Sequence, residues 1–199
     1  MTGRVKTRLA SACGEWRAAR LHAALTQRAL ATALAARVGV VELHGAPAGH
    51  RLLRRLARNM RVAVRPQRGS DLGERMQQAF ADALRRHRHV VLIGSDCPAL
   101  TTTDLRLAVR CLRGASDAVL APAEDGGYVL IGLRRLRDAL FADMAWGEAS
   151  VLADTARAAR EQGLRVRLLR TLWDVDRPED LARLRSLRYR AGSRRAARR

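Results

Sequence analysis

The sequence predicts an α/β fold, because short runs of strand-forming residues alternate with longer stretches of helical periodicity. The clearest strand is VVLI, residues 90–93, and such an apolar run is typical of a central strand buried on both faces. Acidic residues and glycines follow several of these runs, at strand ends where open α/β sheets bind ligands. Further strands are predicted at 38–43, 61–64, 118–121, 128–133 and 166–169, and helices at 21–37, 52–58, 72–86, 103–112, 149–162 and from 178.

The start of the chain departs from the usual order of such a sheet. A doubly wound sheet normally opens with a strand that feeds the first ligand-binding loop. This sequence begins within what reads as that loop. We therefore expect a sheet without its N-terminal first strand, with the place of that strand left open.

Length and composition predict one globular domain over residues 1–187, followed by a basic, disordered tail at 188–199. Hydrophobic residues make up 48% of the 199 residues, yet no apolar run approaches the ~18–20 residues of a membrane span. The N-terminus lacks the apolar stretch of a signal peptide, and the three cysteines have no CxxC spacing. These features predict a cytoplasmic protein without a membrane span.

The net charge of +19 suggests a nucleic-acid ligand at first sight, but the distribution of the charge disfavours it. Lys6 is the only lysine among 38 basic residues, which is typical of a GC-rich genome rather than of a selected phosphate-binding face. Aromatic residues make up only 4% of the chain, too few for a base-stacking platform. We expect no specific binding of nucleic acid.

Four segments combine charge, glycine and small polar residues at predicted strand ends. The first is GRVKTRL at 3–9, whose cations and backbone N–H groups suit a phosphate chain, with a plain basic tail as the alternative. Its candidate nucleotide- and phosphate-binding residues are Arg4, Lys6, Thr7 and Arg8.

The second segment is GSDCP at 94–98, directly after the best predicted strand. Asp96 is well placed to hold Mg²⁺ or Mn²⁺ together with a bound diphosphate, and the alternative is a cap of the following helix. Thr101 or Thr102 could provide that cap instead. A nucleophilic Cys97 is disfavoured, because none of the five histidines lies in a comparable glycine-rich loop.

The remaining two segments are acidic. AEDGGY at 123–128 places two glycines before a strand, where they allow a ligand to approach the backbone closely, with a plain turn as the alternative. DVDRPED at 174–180 places Asp174 and Asp176 on one face of extended backbone, beyond what the dipole of the following helix needs. Acidic clusters and a basic loop at strand ends together fit Mg²⁺- or Mn²⁺-assisted chemistry on a phosphorylated substrate.

Six segments occur in a fixed order over residues 3–187: GRVKTRLA, QRGSDLGERMQQAF, VVLIGSDCPALT, VLAPAEDGGYVLIGL, the WG of MAWGEASVL, and DVDRPEDLARL. Through them the chain resembles the bacterial family DUF2064, also described as radical-SAM/selenodomain-associated transferase 1 and regarded as glycosyltransferases. The resemblance implies the Rossmann-like GT-A fold of the nucleotide-diphospho-sugar transferases, three α/β/α layers around a mostly parallel mixed sheet. The family usually has a strand and a proline-rich turn before GRVKTR, where this chain has Met1 and Thr2.

The resemblance also implies roles for individual residues. Asp96 corresponds to the metal-binding aspartate after the central strand, and Asp174 and Asp176 correspond to the late pair that completes the metal site. The basic loop at 3–9 corresponds to the loop that grips phosphates. The positions that hold the acceptor or the sugar are Gly126, Gly127, Tyr128, Trp146 and Ser150, and a family motif of unassigned role contains Gln67, Asp71 and Arg75.

The leading hypothesis is a metal-dependent transferase that acts on a sugar nucleotide and a small-molecule acceptor, with Asp125 as the base for the acceptor hydroxyl. The nearest rival is a nucleotidyltransferase, which would transfer NMP from an NTP to a phosphorylated acceptor and release pyrophosphate. A third hypothesis is a non-catalytic nucleotide- or RNA-binding protein, which predicts metal-independent binding with a steep salt dependence.

Overall fold

The computed structural model describes residues 7–187, in which helices pack around a divided β-sheet. Arg4, Lys6 and the basic tail at 188–199 lie outside the described residues, as does the side chain of Thr7. The helices are α1 (Thr7–Cys13), α2 (Glu15–Ala36), α3 (Arg51–Met60), α4 (Leu72–Leu84), α5 (Thr102–Arg113), α6 (Val151–Glu161) and helical backbone at 180–187. The strands are β1 (Glu42–Gly45), β2 (Ala63–Pro66), β3 (Val90–Ile93), β4 (Ala118–Pro122), β5 (Tyr128–Leu133) and β6 (Val166–Leu168), with a 3₁₀ turn at Asp138–Leu140.

The strands form two separate sheets. β1 and β2 pair in parallel, with Glu42 opposite Ala63. The second sheet has the order β3-β5-β4-β6, in which β5 runs antiparallel to both of its neighbours and β6 is parallel to β4. This mixed topology, with helices between most strands, confirms the predicted α/β class.

The alternation of side chains along β4 explains the three layers. Val119 and Ala121 pack in one cluster with Leu105 and Leu112 of α5. Ala118 and Leu120 point to the opposite face, into a cluster that also contains Phe80 of α4 together with Ala156 and Ala159 of α6. Because successive side chains of a strand point to opposite faces, β4 is buried on both sides between two helical layers.

β3 is not the central strand that its apolar sequence predicts. It lies at one end of the four-stranded sheet, and in residues 7–187 its only strand partner is β5. Only Val90 is buried, whereas Val91, Leu92 and Ile93 are partly exposed. The strands that are buried almost throughout are β4 and β5. An apolar composition does not reveal which strand has an open space beside it.

That open space is a cleft between the two sheets. Leu43 and His44 of β1 line one side of the cleft, and Val91 and Ile93 of β3 line the other. Within the described part of the chain, neither of the edges that face the cleft has a strand partner. This cleft separates the β1-β2 pair from the four-stranded sheet.

The helix boundaries show where local sequence rules were right and where they were wrong. α2 begins six residues before the predicted start, and α1 covers part of a segment that the sequence predicts as a loop. Thr101 caps α5 in a capping box with Asp104, so Asp96 does not serve as the cap of this helix. None of the helices at 7–187 is long and apolar enough to cross a membrane.

Candidate functional site

A cavity of about 660 Å³ runs from the cleft between the sheets to the ends of β3 and β4. This volume lies within the roughly 300–1,000 Å³ of typical ligand pockets. Its inner walls are apolar, and its mouth carries polar and aromatic side chains. The residues at the mouth include Ser95, Asp96, Asp125, Tyr128, Trp146, Glu148 and Asp174.

A second, more open depression of about 1020 Å³ lies over α3. It is lined by arginines of that helix and by His50, and it contains none of the residues that the sequence predicts as functional. We therefore place the candidate site in the smaller and more enclosed cavity, where several predicted residues converge.

The structure brings Asp96 and Asp174 to the same cavity. The backbone N–H of Val175 donates to the backbone carbonyl of Asp96 at 2.9 Å, which fixes the segment after β6 beside the loop after β3. Ser95 Oγ lies 3.3 Å from Asp96 Oδ1 and can donate to it. Two carboxylates from distant parts of the sequence are thus held at the same mouth.

Asp176, the third predicted metal ligand, is not among the residues that line the cavity. Its Oδ2 accepts a hydrogen bond from Arg8 Nη1 at 2.7 Å, in an ion pair with both side chains well exposed. Asp180 accepts the backbone N–H groups of Asp176 and Arg177 and so caps the final helical segment. A predicted phosphate-binding cation and a predicted metal ligand therefore pair with each other, and neither of them lines the cavity.

The EDGG loop after β4 presents Asp125 to the cavity. Asp125 Oδ1 accepts the backbone N–H of Gly127 at 3.0 Å, which fixes the carboxylate. Gly126 has φ +90°, and a Cβ there would collide with the backbone of Ala149. Gly126 thus allows the EDGG loop to pack directly on the WGEAS segment, and Leu152 N donates to its carbonyl at 3.0 Å.

Glu124, the other acid of this loop, does not line the cavity and pairs with an arginine instead. Both of its carboxylate oxygens accept hydrogen bonds from Arg183, at 2.6 and 2.8 Å. These bonds lower the pKa of Glu124. Of the two acids in the loop, only Asp125 lines the cavity.

Two of the predicted acceptor residues form aromatic walls of the cavity. Burial raises the pKa of the Tyr128 hydroxyl far above neutral, so that it stays protonated and can act as a donor. Trp146 packs against Phe141 with ring centroids 6.4 Å apart, and Gly73 leaves room for the Trp146 ring. Gly127 also lines the cavity, whereas Gly126 and Ser150 do not.

Cys97 is a buried structural residue. Its side chain is 5% exposed, and burial raises the pKa of its thiol to about 11. A thiol with such a pKa is protonated at neutral pH and is a weak nucleophile. This agrees with the sequence analysis, which disfavours Cys97 as a nucleophile.

The motif of Gln67, Asp71 and Arg75 lies at the start of α4 and contributes to the lining of the cavity. Asp71 caps α4, because its Oδ1 accepts the backbone N–H of Glu74 at 2.8 Å. Arg75 Nε donates to the carbonyl of Gly69 at 3.1 Å and supports the preceding turn. Gln67 and Arg75 line the cavity, so they are the members of the motif that can contact a ligand.

Sequence reasoning missed His22, which lies on α2 beside Asp96. Its Nδ1 atom is 3.4 Å from Asp96 Oδ1. In the described part of the chain this nitrogen is buried and has no hydrogen-bond partner. His22 stands on a long helix rather than in a glycine-rich loop, so no local motif marked it.

The donors at this mouth fit a divalent cation that a ligand shares. Among residues 7–187 no group of three or more His, Cys, Asp or Glu side chains is arranged as a self-sufficient metal site. Mg²⁺ in phosphoryl-transfer enzymes typically takes one or two carboxylates from the protein and the rest of its ligands from substrate phosphates and water. Asp96 lines the cavity, and His22, which is not itself a lining residue, has its buried Nδ1 3.4 Å from Asp96 Oδ1, without a hydrogen-bond partner among the described residues. A carboxylate with this nitrogen beside it satisfies that smaller requirement.

The architecture is that of the Rossmann-like, GT-A nucleotide-diphospho-sugar transferase fold. Residues 29–148 match the family DUF2064, described as uncharacterized protein conserved in bacteria, and the chain belongs to this family. No curated protein of established function is significantly similar to the chain in sequence.

Three solved structures show the same architecture. A protein from Desulfovibrio desulfuricans G20, provisionally assigned as a nucleotide-diphospho-sugar transferase, is 34% identical with a TM-score of 0.80, covering 89% of this chain and 78% of its own. CMP:2-keto-3-deoxy-manno-octonic acid synthetase in complex with CTP is 11% identical, with a TM-score of 0.60 and coverage of 84% and 88%. Rv0371c from Mycobacterium tuberculosis H37Rv in complex with manganese is 19% identical, with a TM-score of 0.51 and coverage of 80% and 85%. The last two likenesses establish the fold alone.

Proposed function

We propose that this protein is a Mg²⁺- or Mn²⁺-dependent transferase that takes a sugar nucleotide as donor and a small hydroxyl compound as acceptor. The observation that carries the proposal is the convergence of Asp96, Asp125 and Asp174 at the mouth of one cavity. Membership of the family and 34% identity to the assigned transferase from Desulfovibrio desulfuricans support the transferase class.

The carboxylates at the mouth suit the donor side of such a reaction. A divalent cation, when bound, neutralises the diphosphate and the charge that develops on the leaving group. Asp96 and Asp174 would hold it, and their positions on rigid backbone support this role. Arg8 pairs with Asp176, two residues after Asp174, and its guanidinium would share the phosphate charge with Arg4 and Lys6 of the GRVKTRL segment.

The opposite part of the mouth suits the acceptor. Asp125 is fixed by the N–H of Gly127 through one oxygen, so the second oxygen can accept the proton of an acceptor hydroxyl. Tyr128 can donate a hydrogen bond, and Trp146 offers an apolar wall. Gly126, Gly127 and Ser150 belong to the two loops that pack on each other around this place.

The deciding experiment combines ligand binding with product analysis. UDP-, GDP-, ADP- and dTDP-sugars and the four NTPs are screened by thermal shift, each with Mg²⁺, Mn²⁺ or EDTA. Wild type is compared with Asp96→Asn and with Asp82→Asn, a matched control on α4 that does not line the cavity. Released nucleoside diphosphate and released pyrophosphate are then measured separately.

The proposal expects a metal-dependent shift for one sugar nucleotide, abolished in Asp96→Asn and retained in Asp82→Asn, with release of nucleoside diphosphate. Pyrophosphate release from an NTP would replace the glycosyltransferase by the nucleotidyltransferase. Metal-independent binding that weakens steeply with salt would instead support a non-catalytic nucleotide- or RNA-binding protein.

The cellular setting remains a prediction of the sequence. Cys13, Cys97 and Cys111 are all free thiols, which fits a reducing compartment such as the cytoplasm. The proposed partners are a nucleotide-activated donor and a small-molecule acceptor, without specific nucleic acid.

A further inference from the structure

We propose that His22 is a nitrogen ligand of the metal ion at this site, alongside Asp96. The inference rests on the proposed metal dependence and adds to it a ligand from α2, far from every acidic segment in the sequence. It assigns a chemical role to a side chain that no motif of the sequence marks.

The distance between the two side chains is long for a hydrogen bond and allows a shared ion. His22 Nδ1 and Asp96 Oδ1 are 3.4 Å apart, beyond the usual 2.7–3.2 Å of an N–H···O bond. Two ligand atoms that each lie ~2.1 Å from one ion are about 3.0 Å apart at the ligand–metal–ligand angle of an octahedron. They are about 3.4 Å apart at the angle of a tetrahedron. The observed 3.4 Å lies at the upper end of this range, so both atoms can reach one ion after a small adjustment.

The ring nitrogen also needs a partner. His22 Nδ1 is buried and makes no hydrogen bond to any residue of the range 7–187. A buried polar atom left unsatisfied costs about 1–3 kcal/mol. A cation held jointly with Asp96 would satisfy it, because neutral imidazole nitrogen is a common metal ligand.

α2 is held firmly against both acidic segments, so the approach of His22 to Asp96 is fixed by the fold. Arg28 Nε donates to the carbonyl of Pro98 at 3.0 Å, two residues beyond Asp96. On the other side, Leu25 packs in one cluster with Val175, the neighbour of Asp174.

The ligand type predicts which ion the site prefers. Mg²⁺ binds almost entirely to oxygen atoms, whereas imidazole nitrogen suits transition metals. With one nitrogen ligand, we expect the site to bind Mn²⁺ at least tenfold more tightly than Mg²⁺. Replacing His22 by leucine should therefore reduce the affinity for Mn²⁺ more than it reduces the affinity for Mg²⁺.

The test uses Mn²⁺ itself as the probe and reads its ligands directly. Binding of Mn²⁺ is titrated by electron paramagnetic resonance in wild type, His22→Leu and His87→Leu. His87→Leu is the control, because His87 is exposed and does not line the cavity. Electron-spin-echo modulation from a coordinated imidazole nitrogen is recorded on unlabelled and ¹⁵N-histidine protein. We expect the modulation in wild type and His87→Leu, its loss in His22→Leu, and at least tenfold weaker Mn²⁺ binding there.

The possible failures can be told apart. Bound Mn²⁺ without nitrogen modulation in wild type would overturn the role of His22 and leave the metal-dependent transferase standing. Modulation that persists in His22→Leu would also overturn it, since another nitrogen would be the ligand. Wild-type protein that binds no Mn²⁺ would contradict both proposals. The wild-type spectrum decides even if His22→Leu fails to fold.

Discussion

Arg170 holds the buried carboxylate of Asp104 in a bidentate ion pair, with Nε and Nη2 each 2.7 Å from a carboxylate oxygen. Thr101 donates to the same carboxylate from its backbone N and its hydroxyl, at 2.9 and 2.6 Å. Arg170 Nη2 also donates to the carbonyl of Ala99 at 3.1 Å. The start of α5, the loop after Asp96 and the end of β6 are therefore tied together at one point.

This relationship predicts a measurable loss of stability when Asp104 is replaced. Asp104→Ala removes the partner of Arg170 and the capping interaction with Thr101, and we expect it to lower the free energy of unfolding by about 1–3 kcal/mol. Arg170 is half-exposed, so its own charge remains solvated and the loss stays moderate. Urea unfolding measures the change, with Asp82→Ala as the surface control. Equal midpoints for the two variants would contradict the role assigned to Asp104.

A second buried carboxylate predicts how stability depends on pH. Asp117 accepts Arg165 N and Nε at 3.2 and 2.9 Å and Arg135 Nη2 at 3.2 Å. The hydrogen bonds from Arg165 are the largest cause of a strongly lowered pKa, despite the burial that opposes it. Glu42 behaves alike, because hydrogen bonds from Arg86 and Arg65 outweigh burial and lower its pKa to about 2.

A lowered folded-state pKa stabilises the protein above the unfolded-state pKa of about 4, and this stability is lost as pH falls towards the folded-state value. We therefore expect wild type to lose stability steadily below about pH 4.5. Asp117→Asn should be less stable than wild type at pH 7 and should approach it near pH 2.5. Urea midpoints at several pH values test this, and a difference that stays constant with pH would refute it.

The sequence predicted the individual elements well because their causes are local. The strand at 90–93 and the strand at 128–133 have the predicted bounds, and Thr101 caps α5 as its position suggests. Buried apolar runs, capping residues and glycines act within a few neighbours, so a single sequence contains the information. The fold class followed from the alternation of these elements.

The sequence predicted in part which candidate residues lie together, and the differences arise from contacts that are distant in sequence. Asp96, Asp125 and Asp174 share a cavity, as their places at strand ends suggested. Asp176 pairs with Arg8 instead of lining the cavity, because the cap of the last helix turns the chain there. His22 comes beside Asp96 only through the packing of a long helix, and no pattern along the sequence encodes that approach.

The packing of the EDGG loop on the WGEAS segment predicts a specific effect at Gly126. Gly126→Ala would place a Cβ against the backbone of Ala149 at φ +90°, so both strain and collision oppose it. The matched control is Gly163→Ala, with φ +70° and open space around the added carbon. We expect about 1–2 kcal/mol of destabilisation for the control, from left-handed backbone alone. Gly126→Ala should cost more and should weaken donor or acceptor binding, which urea unfolding and the ligand screen measure.

If Gly126→Ala and Gly163→Ala lose the same free energy of unfolding, the WGEAS segment can move away from the added Cβ without destabilising the fold. The two loops would then not form a fixed acceptor wall. A larger loss with unchanged ligand binding would instead separate the packing of the loops from their proposed contact with the acceptor.

The divided sheet predicts an uneven pattern of backbone protection. β4 pairs on both sides, with β5 and β6, whereas β3 has β5 as its only strand partner and β1 has β2, within the described residues. Amide hydrogens exchange with solvent when their hydrogen bonds open, and edges beside a solvent-accessible cleft open most readily. We expect amides of β1 and β3 that face the cleft to exchange at least tenfold faster than those of β4 and β5. Exchange measured by NMR tests this, and uniform protection across all four strands would mean that the cleft is closed in solution.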